Sequence, residues 1–256
     1  MTKENQIRNG RHESVSSKAI IGIAHRYFVN APIQRIPERI QTLGTEVELE
    51  TKVNIDKLDN VELILNNISE LGFSKVSHRT EWHHFFSNDF IAHNVLILIQ
   101  GSNEIWIKIK KDKHQIKSPH NNFPILLRHE KKMKPQDNNY RDEFQRTVCQ
   151  NYIGSFQKEC LDFSFWYKDA SFTATLSLAD SKQRSLHQIE FEFDGHKKNT
   201  EPPNFNTILN LFEQMLSNVC PSKINKFNTY TKLEWLLLSV KNESESSRSY
   251  SAKKRY

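Results

Sequence analysis

The sequence predicts an α+β fold: a closed eight-stranded antiparallel β-barrel with helices packed outside it. Three observations carry this expectation. From Thr45 onward, segment after segment alternates with period 2, the mark of strands with two unlike faces. Few segments switch to helical spacing, too few to follow every strand as a parallel sheet requires. Glycine is scarce, with 7 in 256 residues, and neither G-x-G-x-x-G nor a Walker A pattern occurs, so the phosphate-cradling loops of doubly wound folds are missing.

Residues 1–43 read as an N-terminal extension that is partly helical. Its clearest apolar piece is Ala19-Ile20-Ile21-Gly22-Ile23-Ala24. In the first strand, 46–53, Glu46, Glu48, Glu50 and Lys52 share one face, and Val47, Leu49, Thr51 and Val53 the other. Residues 56–72 then take helical spacing through Leu58, Val61, Leu65, Ile68 and Leu71, with Gly72 as the stop. Strands return at 81–88, 94–100 and 104–111, the last two joined as a hairpin through Gly101-Ser102-Asn103. Another strand is expected at 125–133, and a helix at 137–157 around Phe144, Val148, Tyr152 and Phe156. Strands at 160–168 and 171–180 flank a tight turn at Lys168-Asp169-Ala170, and the last clear strand is 186–194. A helix over 206–219 carries Ile208, Leu211, Phe212, Met215, Leu216 and Val219 and stops at Pro221. A final apolar piece, Leu233 to Val240, packs on the body. The main domain is placed at 44–241, and 242–256 is a Ser-rich, disordered basic tail ending in Lys253, Lys254 and Arg255.

The formal charge is +6, from 36 basic and 30 acidic residues, and suits an anionic ligand without naming one. Cys149, Cys160 and Cys220 make neither a disulfide framework nor a four-thiolate zinc site, which points to a reducing, cytoplasmic setting. No 18-residue apolar run exists and the start of the chain lacks a signal-peptide core, so no membrane partner is expected. Oligomeric state is not readable. His78, His83 and His84 are not a convincing metal set, because adjacent histidines on a strand face opposite ways. The four tryptophans, Trp82, Trp106, Trp166 and Trp235, are expected to pack in core or wall.

The strand faces carry the functional signal. Glu48, Glu50 and Lys52 oppose Leu49 and Val53. Lys108 and Lys110 oppose Ile107 and Ile109. Arg128, Glu130 and Lys132 alternate more weakly with their neighbours, whereas Gln188, Glu190, Glu192 and Asp194 oppose Ile189, Phe191 and Phe193. Closing such strands with helices outside turns the charged faces inward. Unpaired buried charges cost several kcal/mol each, so the interior makes sense if it binds something carrying both signs. Glu clusters suit a hard divalent cation, and Lys/Arg suit phosphates.

Glu48-Leu49-Glu50-Thr51-Lys52 resembles the E-x-E-x-K motif of the triphosphate tunnel metalloenzymes, which include the CYTH domains. Phe172 to Asp180 and then Leu186 to Phe193 resemble that family's late strand pair, and Lys108, Lys110 and Arg128 its order of basic residues. The resemblance covers about residues 45–240. It implies a divalent-metal-dependent hydrolase of a triphosphate: inorganic triphosphate, a nucleoside triphosphate or an RNA 5′ end. Glu48, Glu50, Glu190 and Glu192 would hold Mg²⁺ or Mn²⁺, with Asp180 joining through water. Lys52, Lys108, Lys110, Arg128 and Lys132 would hold phosphate oxygens, with Lys232 and Lys226 as weaker candidates for the same role. Lys52 and the four glutamates are the catalytic expectation. The family's Asp-x-Tyr-x-Asp-like pattern is replaced by Trp82-His83-His84-Phe85-Phe86-Ser87-Asn88-Asp89, where His84 or Asn88 would substitute. Two alternatives stand beside the hydrolase: a class IV-type adenylyl cyclase, and a non-catalytic tunnel that binds polyphosphate, nucleotide or RNA.

Overall fold

A computed structural model describes residues 15–30, 39–40, 47–87, 93–101, 105–133, 152–180, 185–198, 200–220 and 227–238. Among these, ten antiparallel strands form one sheet: β1 (Arg39–Ile40), β2 (Val47–Asn54), β3 (Phe73–Ser87), β4 (His93–Ile99), β5 (Ile105–Lys117), β6 (Pro124–Met133), β7 (Tyr152–Tyr167), β8 (Ala170–Asp180), β9 (Ser185–Lys197) and β10 (Phe227–Asn228). The helices are α1 (Ser17–Asn30), α2 (Leu58–Leu71), α3 (Phe205–Val219) and α4, over 232–238. The fold is α+β, and each of the eight expected strands is present.

The ladders run β2–β6–β5–β4–β3–β7–β8–β9, and β9 pairs again with β2. Strand β2 serves two partners along its length. Val47 to Glu50 pair with β6, while Glu50 to Asn54 pair with β9. The two-residue strands β1 and β10 lie on β9 and β2.

Local chemistry explains the element ends. Gly72 takes φ 83° at the end of α2, a left-handed conformation open to glycine without a Cβ clash, and its N–H bonds Ser69. Asn204 caps α3 by accepting the Thr207 N–H at 2.9 Å. The β7–β8 turn is tight, with Lys168 at φ 55° between the paired Tyr167 and Ala170. The expected helix at 137–157 is corrected where the chain is described: Tyr152 and Phe156 lie in β7, which begins eight residues earlier than the alternation indicated. The i, i+4 spacing of Tyr152 and Phe156 mimicked a helix, but the long ladder to β3 decides the conformation. Phe144 and Val148 lie outside the described residues, as do Glu46, Asn88, Cys149, Pro221 and Lys226.

The main core sits between the outer face of the sheet and the helices. Phe163, Phe165, Phe172 and Phe191 from the strands meet Ile64, Leu65 and Ile68 of α2, and Phe212, Met215 and Leu216 of α3. Ile20 and Ala24 bring α1 into the same layer, and Tyr27 Oη donates to Asn66 Oδ1 at 2.5 Å. A second apolar cluster lies on the cavity-side face, so α4 departs from the expectation that the helices pack outside. There Leu233, Trp235 and Leu236 of α4 meet Phe85, Val95, Ile97 and Phe156. Gly154 faces this cluster, where a Cβ would make van der Waals contact with Leu236 Cδ2 at 3.4 Å. Trp235 is therefore core, as expected, whereas Trp82 is 41% exposed.

Candidate active site

Period 2 alternation turns the polar face of the strands toward a cavity of about 240 Å³. Register shows how the face is continuous. Glu48 lies opposite Arg128, Glu50 opposite Glu192, and Lys52 opposite Glu190. Across β9–β8, Glu192 meets Thr173 and Glu190 meets Thr175, and Asp162 of β7 faces Thr175 in turn. Directly opposed residues point to the same side of a sheet, so one surface carries all of these groups. The lining holds six carboxylates (Glu48, Glu50, Asp162, Glu190, Glu192, Asp194) and five cations (Lys52, Arg79, Arg128, Lys158, Lys232). The charges nearly cancel, which is how so many ionised groups stay buried.

The cancellation is specific. Lys52 Nζ donates to Glu50 Oε1 at 2.8 Å, and Arg128 Nη2 donates to the same oxygen at 2.6 Å. Arg128 Nε is 3.4 Å from Glu48 Oε2. Glu190 is the second hub: Lys232 donates to its Oε1, Lys158 Nζ stands 3.6 Å from that oxygen, and Lys52 Nζ is 3.9 Å from Oε2. Asp194 accepts from Thr173 Oγ1 at 2.8 Å. Glu48, Glu50, Lys52 and Arg128 are all at most 7% exposed.

A further array lies on β3 and β7. Arg79 pairs with Asp162, and its Nε donates to Glu81 Oε1 at 2.5 Å. His83 Nε2 is 2.6 Å from Glu81 Oε2, and Cys160 Sγ donates to that oxygen at 3.6 Å. The His83 ring stacks on Phe156 with centroids 5.5 Å apart and planes 9° from parallel.

These contacts set the protonation states. Burial raises the Glu81 carboxyl, but the His83 hydrogen bond and the Lys158 charge overcome it and hold the group well below the usual carboxylate range. Burial pushes the His83 imidazole down to about 4, against the Glu81 hydrogen bond and with Lys158 adding to the effect. Burial also opposes the Lys158 ammonium, yet a charged Cys160, Glu190 and Glu81 lift it above the ordinary lysine value. Cys160 is itself pushed up to about 11 by burial, so near neutrality the carboxylates are what keep Lys158 charged. Glu190 is held low: burial raises it, and the Lys232 and Lys158 charges outweigh that.

The expected site residues divide cleanly. The cavity brings together Glu48, Glu50, Lys52, Arg128, Glu190, Glu192 and Lys232. Lys108 pairs with Val95 and Lys132, and Lys110 with His93 and Glu130. The side chains of Lys108, Lys110 and Lys132 lie outside the described residues. Asp180 does not join the cavity. It accepts from Ser17 Oγ at 2.7 Å and stands 3.3 Å from Nε2 of His187 on β9, so it fastens the start of α1 to β8 and β9. The reason is parity, since Thr173 and Thr175 face the cavity and Asp180 is out of phase with them. At the departed motif it is His83, not His84, that reaches the cavity. Sequence reasoning missed Arg79, Glu81, Lys158 and Asp162.

Among the described residues, no group of three or more His, Cys, Asp or Glu side chains stands ready around a metal position. The donor set still fits a hard divalent cation, because Glu48, Glu50, Glu190 and Glu192 offer only carboxylate oxygens from two paired strands. Those of Glu50 and Glu190 are taken by Lys and Arg, which a metal has to displace.

No protein-family model matches the chain, and no curated protein sequence matches it. Solved structures do. HpAC1 of Hippeastrum, an adenylyl cyclase candidate with a dominant triphosphatase activity, aligns with a TM-score of 0.49 and 11% identity over 76% of this chain and 96% of its own. PH1012 of Pyrococcus horikoshii OT3 gives 0.46 and 15% over 73% and 98%. The RNA triphosphatase domain of the mimivirus mRNA capping enzyme gives 0.46 and 12% over 80% and 99%. Two of these three neighbours are named for a triphosphatase activity. At these identities and scores no residue's role is carried across, and the cavity's own geometry is what speaks to function. No described helix is long and apolar enough to cross a membrane.

Proposed function

We propose that the protein is a divalent-metal-dependent triphosphate hydrolase whose eight strands close as a tunnel around its substrate. The observation that carries this reading is the interleaving of carboxylates and cations on one buried face, with Glu50 and Glu190 each gripped by two or more basic side chains. A polyphosphate with a divalent cation is the ligand that satisfies both signs at once. Glu48, Glu50, Glu190 and Glu192 would hold Mg²⁺ or Mn²⁺, which supplies charge neutralisation at the phosphate oxygens. Lys52, Arg128, Lys158 and Lys232, released from their carboxylates, then bind and orient the phosphate chain and stabilise charge on the transferred phosphoryl group. The register positions of Lys108, Lys110 and Lys132 allow them to extend that grip.

The cavity's size favours hydrolysis over cyclisation. About 240 Å³ is below the usual ~300–1,000 Å³ of small-molecule pockets. It takes a phosphate chain and leaves a nucleoside or RNA body at the mouth, whereas a cyclase must seat the ribose beside the α-phosphate. The test is incubation with Mg²⁺ or Mn²⁺ and inorganic triphosphate, ATP or triphosphate-ended RNA. Phosphate release is expected. Cyclic AMP with pyrophosphate would establish the cyclase instead, and binding without turnover would leave a non-catalytic tunnel.

A further inference from the structure

We infer that His83, oriented by Glu81, is the proton acceptor for the water that attacks the terminal phosphoryl group. This rests on the hydrolase reading and adds a catalytic residue to it. Three structural facts converge on this imidazole. It borders the cavity while only 6% exposed. Its position is over-determined: Nε2 bonds Glu81 Oε2 at 2.6 Å, the ring lies flat on Phe156, and Phe85 lies beyond at 6.2 Å. Glu81 is fixed in turn by Arg79, which Asp162 holds. A base with a carboxylate behind it, itself locked by a third group, is the arrangement in which a nucleophile is activated.

The hydrogen bond also selects the tautomer. Glu81 is ionised and accepts, so the ring proton sits on Nε2 and Nδ1 is the ring's proton-accepting atom. In the step, a water O–H proton passes to Nδ1 as its oxygen bonds the terminal phosphorus. The bridging P–O bond breaks, and its electrons stay on the departing diphosphate. The imidazolium faces Glu81 and later yields its proton to solvent. The products are orthophosphate, diphosphate and one proton.

Electrostatics make this base responsive to its substrate. Among the described residues, the charged groups around His83 are Glu81 on its own strand, Lys158 on β7 and Lys232 on α4; β4 and α4 otherwise present the apolar Val95 and Leu233. In the free cavity burial keeps the imidazole neutral, and the two ammonium groups add to it. A bound polyphosphate screens those ammonium groups and moves its affinity for protons back toward the ordinary histidine range.

The experiment compares wild type with His83→Gln and Glu81→Gln, using inorganic triphosphate with Mg²⁺ from about pH 5.5 to pH 9. General-base contributions of about 10²–10⁴-fold set the expectation. His83→Gln should lower kcat by about 100-fold with little change in KM and should lose the acid limb of the profile. Glu81→Gln should lower kcat less, by about tenfold, and move that limb to lower pH, because the imidazolium loses its counter-charge. A second readout needs no turnover. Calorimetry of triphosphate binding to metal-free protein, in two buffers of different ionisation enthalpy near about pH 6, should show clearly larger proton uptake by wild type than by His83→Gln, whose remaining uptake comes from Lys232, an amine that burial pushes down to about 7. A His83→Gln protein with kcat within threefold of wild type and the same acid limb overturns the inference while leaving the hydrolase reading intact. Wild type that releases no phosphate overturns both. Should His83→Gln not fold, Glu81→Gln decides: an unmoved acid limb counts against the inference.

Discussion

Glu50→Gln is the most informative single change, because the carboxylate it removes holds two cations through one oxygen. Lys52 Nζ and Arg128 Nη2 stand 2.8 Å and 2.6 Å from Glu50 Oε1. At an effective dielectric of about 20, each contact has a gross Coulomb energy of ~6 kcal/mol. The net loss is far smaller. Breaking a buried pair outright costs ~3–5 kcal/mol, most of it for the charge left behind. Here the abandoned cations keep partners: Arg128 still has Glu48 at 3.4 Å, and Lys52 has Glu190 at 3.9 Å. We therefore expect a destabilisation of about 2–3 kcal/mol, less than complete pair loss. At ~2–4 °C per kcal/mol for a chain of this size, the melting temperature should fall by about 4–12 °C. Phosphate release with Mg²⁺ should fall at least about 100-fold, whereas metal-free binding of inorganic triphosphate should tighten, since two cations have lost a competing carboxylate. Thermal melts, a phosphate assay and calorimetry read the three quantities. A variant with unchanged melting temperature and turnover within threefold would refute the reasoning.

Four further outcomes follow from the same geometry. Mg²⁺ should strengthen triphosphate binding and a chelator weaken it, because metal on Glu50 and Glu190 releases Lys52, Arg128, Lys158 and Lys232; metal-independent affinity would contradict this. Lys52→Ala should raise KM for triphosphate and leave the circular dichroism spectrum unchanged, and loss of folded protein would assign Lys52 a structural role instead. His83 is depressed from 6.5 to about 4 in the folded protein, so its contribution is full above about pH 6.5 and is lost as pH falls toward 4, up to about 3 kcal/mol; denaturation against pH should show this slope in wild type and not in His83→Gln. Glu213→Gln is the control outside the cavity. The carboxylate accepts the backbone N–H groups of His120 and Asn121, so the change should cost ~1–3 kcal/mol of stability without moving kcat.

Half of the cavity was legible in the sequence. Strands β2 and β9 declare themselves because charged and apolar residues alternate along their middles, as in Glu48-Leu49-Glu50 and Ile189-Glu190-Phe191. The opposite wall was hidden for physical reasons. In β3, residues 73–80 show little contrast between faces, so Arg79 fell before the expected strand. Lys158 was lost inside an expected helix, since Tyr152 and Phe156 satisfy helical as well as strand spacing. The run Lys158, Cys160, Asp162 against Leu161, Phe163, Phe165 was the available signal for β7. Asp180 shows the converse limit. Alternation gives parity within a strand, but which parity faces the cavity is settled by the helices that cover the other side.

The central claim is that the cavity faced by β2 and β9 grips a triphosphate through opposite charges. The most direct measurement is a crystal structure of the protein with inorganic triphosphate and Mn²⁺. Phosphate density against Lys52 and Arg128, with an anomalous manganese peak on Glu50 or Glu190, is the predicted result. Phosphate on the outer surface, with the Glu50–Arg128 and Glu190–Lys232 pairs still closed, would contradict it.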